Sequence, residues 1–170
     1  MNTFALEIFE EQECCTFYTV RCIQDDDTYV PSETQQFFET FYADENYKQS
    51  IQEIVALLDY IGKERGAHKN LFRPERKAEA LPKNEPRACR DLCLDFADFP
   101  LRLYCLRITD EILILFNGGI KDARTAQESK ASMKFHEAQQ FCERINQAFI
   151  SKDIRIEGMK IIGENKLILL

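Results

Sequence analysis

The sequence predicts an α+β fold, in which a twisted antiparallel sheet is combined with an N-terminal αα-hairpin and a C-terminal helix. Three observations carry this prediction: alternating strand patterns, two helical patterns with one apolar face each, and a long apolar hairpin. The chain has 170 residues, of which 45% are hydrophobic and 11% are aromatic. This length and composition suit one domain with its own core, so we assign residues 1–170 to a single domain.

Alternation of apolar and polar residues predicts two strands at the start of the chain, residues 4–9 and 15–23. The strongest strand signal is the hairpin 101–117, since both of its halves are almost continuously apolar. Its second half runs into the pair Gly118-Gly119. Because glycine tolerates dihedrals that other residues avoid, we expect a bend there that holds the following cations at the rim of the sheet.

Two helices are predicted over residues 33–65, and a third over 132–150. Ser32 is the expected N-cap of the first helix, with Gln35 as its capping-box partner. Asp44 is the expected cap of the second helix. The apolar positions of the second helix follow a helical spacing and form one face: Tyr47, Ile51, Ile54, Val55, Leu58 and Ile61.

The remaining segments carry weaker signals. Residues 67–90 contain three prolines and predict a connector without regular structure. A strand is predicted at 92–96, and two short strands are predicted around Gly163. The apolar end of the chain is expected to pair with another strand, either within the chain or in a homo-oligomer formed through these C-terminal strands.

Charge is divided unevenly along the chain. Residues 1–60 hold 2 basic and 13 acidic residues, a net charge of −11, whereas residues 61–170 hold 20 and 16, a net charge of +4. Such asymmetry is typical either of contact with a charged partner or simply of solvated faces. The acidic half argues against non-specific attraction to nucleic acid, so any phosphate site is expected to be local.

The seven cysteines are an odd number and cannot all form disulfides within the chain. With only two histidines, they show no zinc-ligand spacing, so we expect reduced thiols, no metal and no cofactor. The first residues lack the pattern of a secretion signal, and no apolar run is long enough to cross a membrane. We therefore expect a cytoplasmic protein with no membrane association.

Cationic side chains flank the apolar hairpin on both sides. Lys121 and Arg124 follow it, and the connector contains Arg73, Arg76 and Lys77 around a proline. Rigidly held cations on an acidic protein point to recognition of an anion, with phosphate as the leading candidate. A solvated linker is the alternative interpretation of the connector cations.

The segments Leu101–Arg107, Asp110–Phe116 and Gly119–Arg124, placed after a helix pair, carry a resemblance to a known family. In these segments the chain resembles the RelE/ParE/HigB superfamily of toxins from bacterial toxin–antitoxin pairs, over about residues 45–130. The same core is similar to that of a larger set of uncharacterised bacterial proteins. The resemblance implies a strand, two helices and a strongly twisted antiparallel sheet.

The resemblance also implies an activity, which is cleavage of mRNA on the ribosome and neutralisation by an antitoxin protein. It implies that Arg102, Lys121 and Arg124 stabilise phosphate charge during cleavage. Basic residues before the hairpin, Arg87 and Arg90, correspond to substrate-binding positions, which the connector cations Arg73, Arg76 and Lys77 would extend.

Three functions therefore stand as hypotheses. The first is a RelE-like endoribonuclease that acts on ribosome-bound mRNA. The second is a non-catalytic binding or inhibitor protein of the RelE/ParE type. The third is an α+β protein with a structural role. A compact cationic cluster in the folded chain would favour the first two, and a general acid or base within reach of it would favour the first.

Overall fold

A computed structural model of the chain describes residues 3–24, 28–85, 90–121, 126–163 and 167–169. Within these residues the fold is α+β, with three α-helices around a central sheet. The helices are α1 (Glu33–Tyr42), α2 (Lys48–Tyr60) and α3 (Ala126–Ser151). None of the described helices has both the length and the apolar composition that crossing a membrane requires.

The strands, in chain order, are β1 (Thr3–Glu11), β2 (Thr16–Ile23), β3 (Arg73–Glu75), β4 (Ala78–Leu81), β5 (Leu101–Thr109), β6 (Ile112–Ile120), β7 (Arg155–Glu157), β8 (Lys160–Ile162) and β9 (Leu167–Leu169). Seven of them form the central sheet in the order β3-β4-β5-β6-β2-β1-β9, while β7 and β8 pair separately. All neighbours are antiparallel except β2 and β6. The sheet is therefore mixed, and the predicted antiparallel sheet is wrong at this one junction, where two hairpins join side by side.

The sheet is covered on both faces, because the side chains of its central strands alternate between two apolar clusters. On β5, Leu103 and Cys105 face the cluster that contains the α1 and α2 side chains, while Tyr104 and Leu106 face the cluster that contains α3. Central strands that are buried on both faces explain why the hairpin sequence is almost continuously apolar. The order of layers is thus α1 and α2, then the sheet, then α3.

The helix pair follows the β1–β2 hairpin, so it is not an N-terminal element of the fold. The Ser32 cap is confirmed, because its Oγ accepts a hydrogen bond from the main-chain N of Gln35 at 3.2 Å. Asp44 does not cap α2; its Oδ1 instead accepts from the main-chain N of Asn46 within the preceding turn. After α2 the chain continues as one π-helical stretch, Ile61–Arg65. This stretch ends at Gly66, whose φ of +75° favours glycine.

Two predictions about the connectors need correction, whereas the tail shows one of its two expected arrangements. Residues 92–96 form no strand, because a short 3₁₀ helix, Arg90–Leu92, is followed by Cys93 with a φ of +52°. The connector contains the short hairpin β3–β4, which the sequence patterns did not indicate. At the end of the chain β9 pairs with β1, so this strand finds its partner within the chain.

Candidate functional site

Arg102, the strand arginine assigned to catalysis, lies in a compact group of side chains with Arg73, Glu75 and Tyr104, here called the arginine cluster. Nε of Arg73 lies 3.2 Å from Oε1 of Glu75, and Nη1 of Arg102 lies 3.3 Å from the same oxygen. Both contacts are ion pairs without the alignment of hydrogen bonds. One carboxylate therefore faces two guanidinium groups, and these three side chains carry a net charge of +1 (two positive, one negative).

The arginine cluster is largely removed from solvent. The side chain of Glu75 is 14% exposed and that of Arg102 is 18% exposed, whereas that of Arg73 is 40% exposed. Nε of Arg102 is buried and has no hydrogen-bond partner among the described residues. Because a buried donor without an acceptor costs free energy, this nitrogen favours the approach of an additional acceptor, such as water or a ligand oxygen.

The β3–β4 hairpin brings Arg73 to the cluster. Arg73 pairs with Ala80, and Ala80 pairs with Tyr104 on β5, so the three residues form one row across three strands. Paired residues of neighbouring strands point to the same face of a sheet, and the short side chain of Ala80 leaves room between its two neighbours. The hairpin turns at Arg76, whose φ is +62°.

Tyr104 supplies the only phenol of the cluster. Burial raises the pKa of Tyr104, and the negative charge of Glu75 raises it further, while the positive charge of Arg102 acts in the opposite direction. The phenol is therefore protonated at neutral pH. In that form it donates a hydrogen bond or a proton but does not act as a general base.

The glycine pair of β6 sets the distance between the strands and α3 at this point. A Cβ at Gly118 would lie 1.8 Å from the main-chain O of Arg102, and a Cβ at Gly119 would lie 3.2 Å from the Cβ of Ala131 on α3. Neither glycine has a positive φ. The predicted unusual dihedrals are therefore wrong, and the glycines are required for close approach instead.

Two further predicted cations lie along α3 rather than in the arginine cluster. The guanidinium carbon of Arg76 lies 5.6 Å from the centre of the Phe135 ring, which is a cation–π distance. Nζ of Lys77 lies 2.9 Å from a carboxylate oxygen of Glu143. Both contacts fasten the β3–β4 hairpin to α3, so these residues have a structural explanation that does not involve a substrate.

The contacts of the other predicted site residues are described only in part or not at all. Lys121 follows β6 at the same end of the β5–β6 hairpin as Arg102, and its main-chain N donates to the carbonyl of Pro100 at 2.7 Å. Arg87 and Arg124 lie outside the described residues, as does the side chain of Arg90. His136 is exposed beside Phe135.

Two members of the arginine cluster, Glu75 and Tyr104, were not predicted as site residues from the sequence. Glu75 follows Arg73 at a spacing of two residues, which places both side chains on one face of a strand. Pro74 between them concealed this signal, because proline is disfavoured within strands. β3 tolerates it as the edge strand of the sheet, where one side of the strand has no neighbour.

A second buried polar group lies where β2 and β6 separate. Their parallel pairing ends at Thr19 and Leu115, and the N-terminus of α1 lies beside this point, where Oγ1 of Thr34 is 2.7 Å from Oγ1 of Thr19. There Oε2 of Glu33 accepts hydrogen bonds from Nδ2 of Asn117 at 2.9 Å and from Nζ of Lys134 at 3.0 Å. This contact joins α1 to α3 through the sheet, and it explains a buried carboxylate that the helical pattern did not predict.

Lys134 remains charged in this environment. Burial alone would lower the pKa of Lys134, but its hydrogen bonds and charge interactions with Glu137 and Glu33 outweigh burial and raise it. The contacts of Lys134 are therefore those of a permanent ion pair, and they give no sign of a general base.

Comparisons with protein-family models, with curated proteins and with solved structures find no match to this chain.

Proposed function

We propose that the chain recognises RNA phosphate through the arginine cluster, as a RelE/ParE-like protein of a toxin–antitoxin pair. The observation that carries this proposal is that Arg73 and Arg102 share the single carboxylate of Glu75. A phosphate oxygen has the charge and acceptor geometry that guanidinium groups bind well. The carboxylate of Glu75 then occupies the place of the phosphate until RNA binds.

The finer form of the proposal is a ribosome-dependent endoribonuclease. In such a reaction Arg102 and Arg73 would stabilise the charge that develops on the phosphate, and Tyr104, which is protonated at neutral pH, would serve as a proton donor. Lys121 and Arg124 keep the role that the family resemblance implies for them, which is to bind phosphate beside Arg102. An antitoxin partner and a cytoplasmic location belong to the same proposal.

A second candidate is a non-catalytic binding protein on the same scaffold. It is favoured by the engagement of Glu75 with two arginines, because a carboxylate held in this way is poorly placed to accept a proton from a ribose hydroxyl. None of the described histidine side chains belongs to the cluster either, since His68 faces Asp110 and His136 faces Phe135.

The test uses Glu75→Gln, which removes the competing charge and keeps the shape of the side chain. We expect this variant to bind a fluorescein-labelled single-stranded RNA several-fold more tightly than the natural chain, as measured by fluorescence anisotropy. Arg102→Gln should weaken binding. The matched control is Glu157→Gln, since Glu157 pairs with Arg155 in an exposed ion pair elsewhere. Equal RNA affinity in Glu75→Gln and in the control would contradict the proposal.

Induced expression in a bacterium separates the two candidates. A nuclease should arrest growth and cut ribosome-bound mRNA, and Arg102→Lys, which keeps the charge but loses the fork of donors, should lose most of the effect. A binding protein should bind RNA without cutting it. If the chain neither binds RNA nor arrests growth, the structural role remains.

A further inference from the structure

A groove opens on the α1–α2 side of the sheet, on the face opposite the arginine cluster. Its floor comes from β1 and β2, and its wall comes from α1 and α2. The volume is about 500 Å³, and a neighbouring cavity of about 450 Å³ shares Phe38, Glu39 and Val55 with it. Together the two cavities form one elongated depression, here called the acidic groove.

Apolar side chains that are only partly buried form the centre of the acidic groove. The rings of Phe9 and Phe38 are stacked, with centroids 6.3 Å apart and planes inclined by 10°. Phe9 is 38% exposed and Val55 is 45% exposed. Phe9 is also the extra residue of a β-bulge, because Ile8 pairs with Tyr18 while Glu10 already pairs with Phe17. Bulges redirect side chains, and this one accompanies an exposed ring at the floor of the groove.

Carboxylates surround this apolar centre. Glu7, Glu10, Glu39 and Asp59 line the groove together with Arg21, and Nζ of Lys63 lies 3.0 Å from a carboxylate oxygen of Asp59. These six side chains carry a net charge of −2 (four negative, two positive). Arg21 donates to Glu7 from Nε at 2.8 Å, so its charge is already engaged. The groove also lies in the half of the chain that carries a net charge of −11 (2 basic and 13 acidic residues over 1–60). This potential attracts cations and repels anions.

We infer that the acidic groove binds a basic amphipathic helix of a partner protein. An apolar stripe on such a helix would cover Phe9, Phe38 and Val55, and flanking lysines or arginines would reach the carboxylates. A ligand on the face of a sheet meets side chains only, since the main-chain hydrogen bonds lie in the plane of the sheet. This geometry favours a helix lying in a groove over an added strand. The inference does not depend on RNA binding at the opposite face.

The probe is a fluorescein-labelled helical peptide of leucine and lysine, with the lysines on one face. The comparison peptide has glutamate in place of every lysine. Fluorescence anisotropy with the full chain at physiological salt should show saturable micromolar binding of the lysine peptide. Binding of the glutamate peptide should be weaker by about tenfold or more.

Variants place the binding at the groove. Phe9→Ser and Val55→Ser should each lower the affinity for the lysine peptide by about tenfold, because apolar anchors carry most of the affinity of such contacts. The matched control is Ile150→Ser, since Ile150 is 81% exposed on α3, away from the groove. Urea unfolding checks that each variant is folded. Because there are two independent groove variants, the test can still be made if one of them does not fold.

Charge variants test the second half of the inference. Glu39→Lys should lower the affinity for the lysine peptide. Glu157→Lys, which changes an exposed residue on β7, should leave this affinity nearly unchanged. The inference is overturned if the lysine peptide does not bind saturably, if both peptides bind equally, or if the groove variants and the controls behave alike.

Discussion

Gly118 provides a direct test of how the β5–β6 pair is built. A Cβ at this position would lie 1.8 Å from the main-chain O of Arg102 and 2.9 Å from a ring carbon of Phe37. Cβ atoms essentially never come within 3.0 Å of a non-bonded heavy atom from another part of the chain. Gly118→Ala therefore requires β5 and β6 to move apart by about 1 Å within a close-packed part of the sheet.

The expected cost has two parts. Separation of the strands weakens one or two ladder hydrogen bonds, each worth about 1 kcal/mol. The new methyl group is also forced against the buried Phe37 ring, and overpacking of this kind costs about 1–3 kcal/mol. We therefore expect the free energy of unfolding to fall by about 2–5 kcal/mol. With a urea m value of about 2 kcal/mol/M, the midpoint falls by about 1–2.5 M.

Urea unfolding followed by circular dichroism measures this change. The control is Gly119→Ala, whose Cβ would lie 3.2 Å from the Cβ of Ala131, a tight contact that a small movement of α3 relieves. We expect the control to lose about 1 kcal/mol or less. The reasoning is refuted if Gly118→Ala unfolds at the same urea concentration as the natural chain, or if it is more stable than Gly119→Ala.

Three further predictions concern buried polar groups and thiols. Lys134→Met should lower the free energy of unfolding by about 2–3 kcal/mol because Glu33 keeps a buried, uncompensated charge, and adding Glu33→Gln should restore part of the loss in a double-mutant cycle. Burial raises the pKa of Glu79, so its carboxyl binds a proton more tightly in the folded chain than in the unfolded chain. The free energy of unfolding should therefore fall as pH rises from the usual pKa of a glutamate to the raised pKa of Glu79. Glu79→Gln should reduce this fall, as measured by urea unfolding between acid and neutral pH. Burial raises the pKa of the Cys105 thiol well above its usual value, so a thiol reagent at neutral pH should label the exposed Cys93 first and Cys105 only on unfolding.

Local patterns in the sequence were sufficient for most of the helices and strands. The Ser32 cap, the apolar face of α2 and the β5–β6 hairpin depend on neighbours within a few residues, so periodicity and capping chemistry predicted them. Val55 is the exception on that face, since it is 45% exposed. The same reasoning failed for β3, because a three-residue strand with a central proline has no pattern of its own. Its structure comes from pairing with β4, which in turn pairs with β5.

Other features depended on contacts between distant parts of the chain. The parallel pairing of β2 with β6 joins residues that lie 96 positions apart in the chain, as in Thr16 with Ile112, and no local signal records which strands will become neighbours. The buried state of Glu33 likewise arises only when Asn117 and Lys134 reach it from two other elements.

The candidate site shows the same division. The sequence alone determined that cations flank an apolar hairpin, because charge and strand period are properties of neighbouring residues. Only the tertiary structure decided that Arg73 and Arg102 converge on Glu75, while Arg76 and Lys77 turn to α3. The electrostatic role of a charged side chain is set by the groups within a few ångströms of it, and those distances exist only once the strands are paired and α3 is packed.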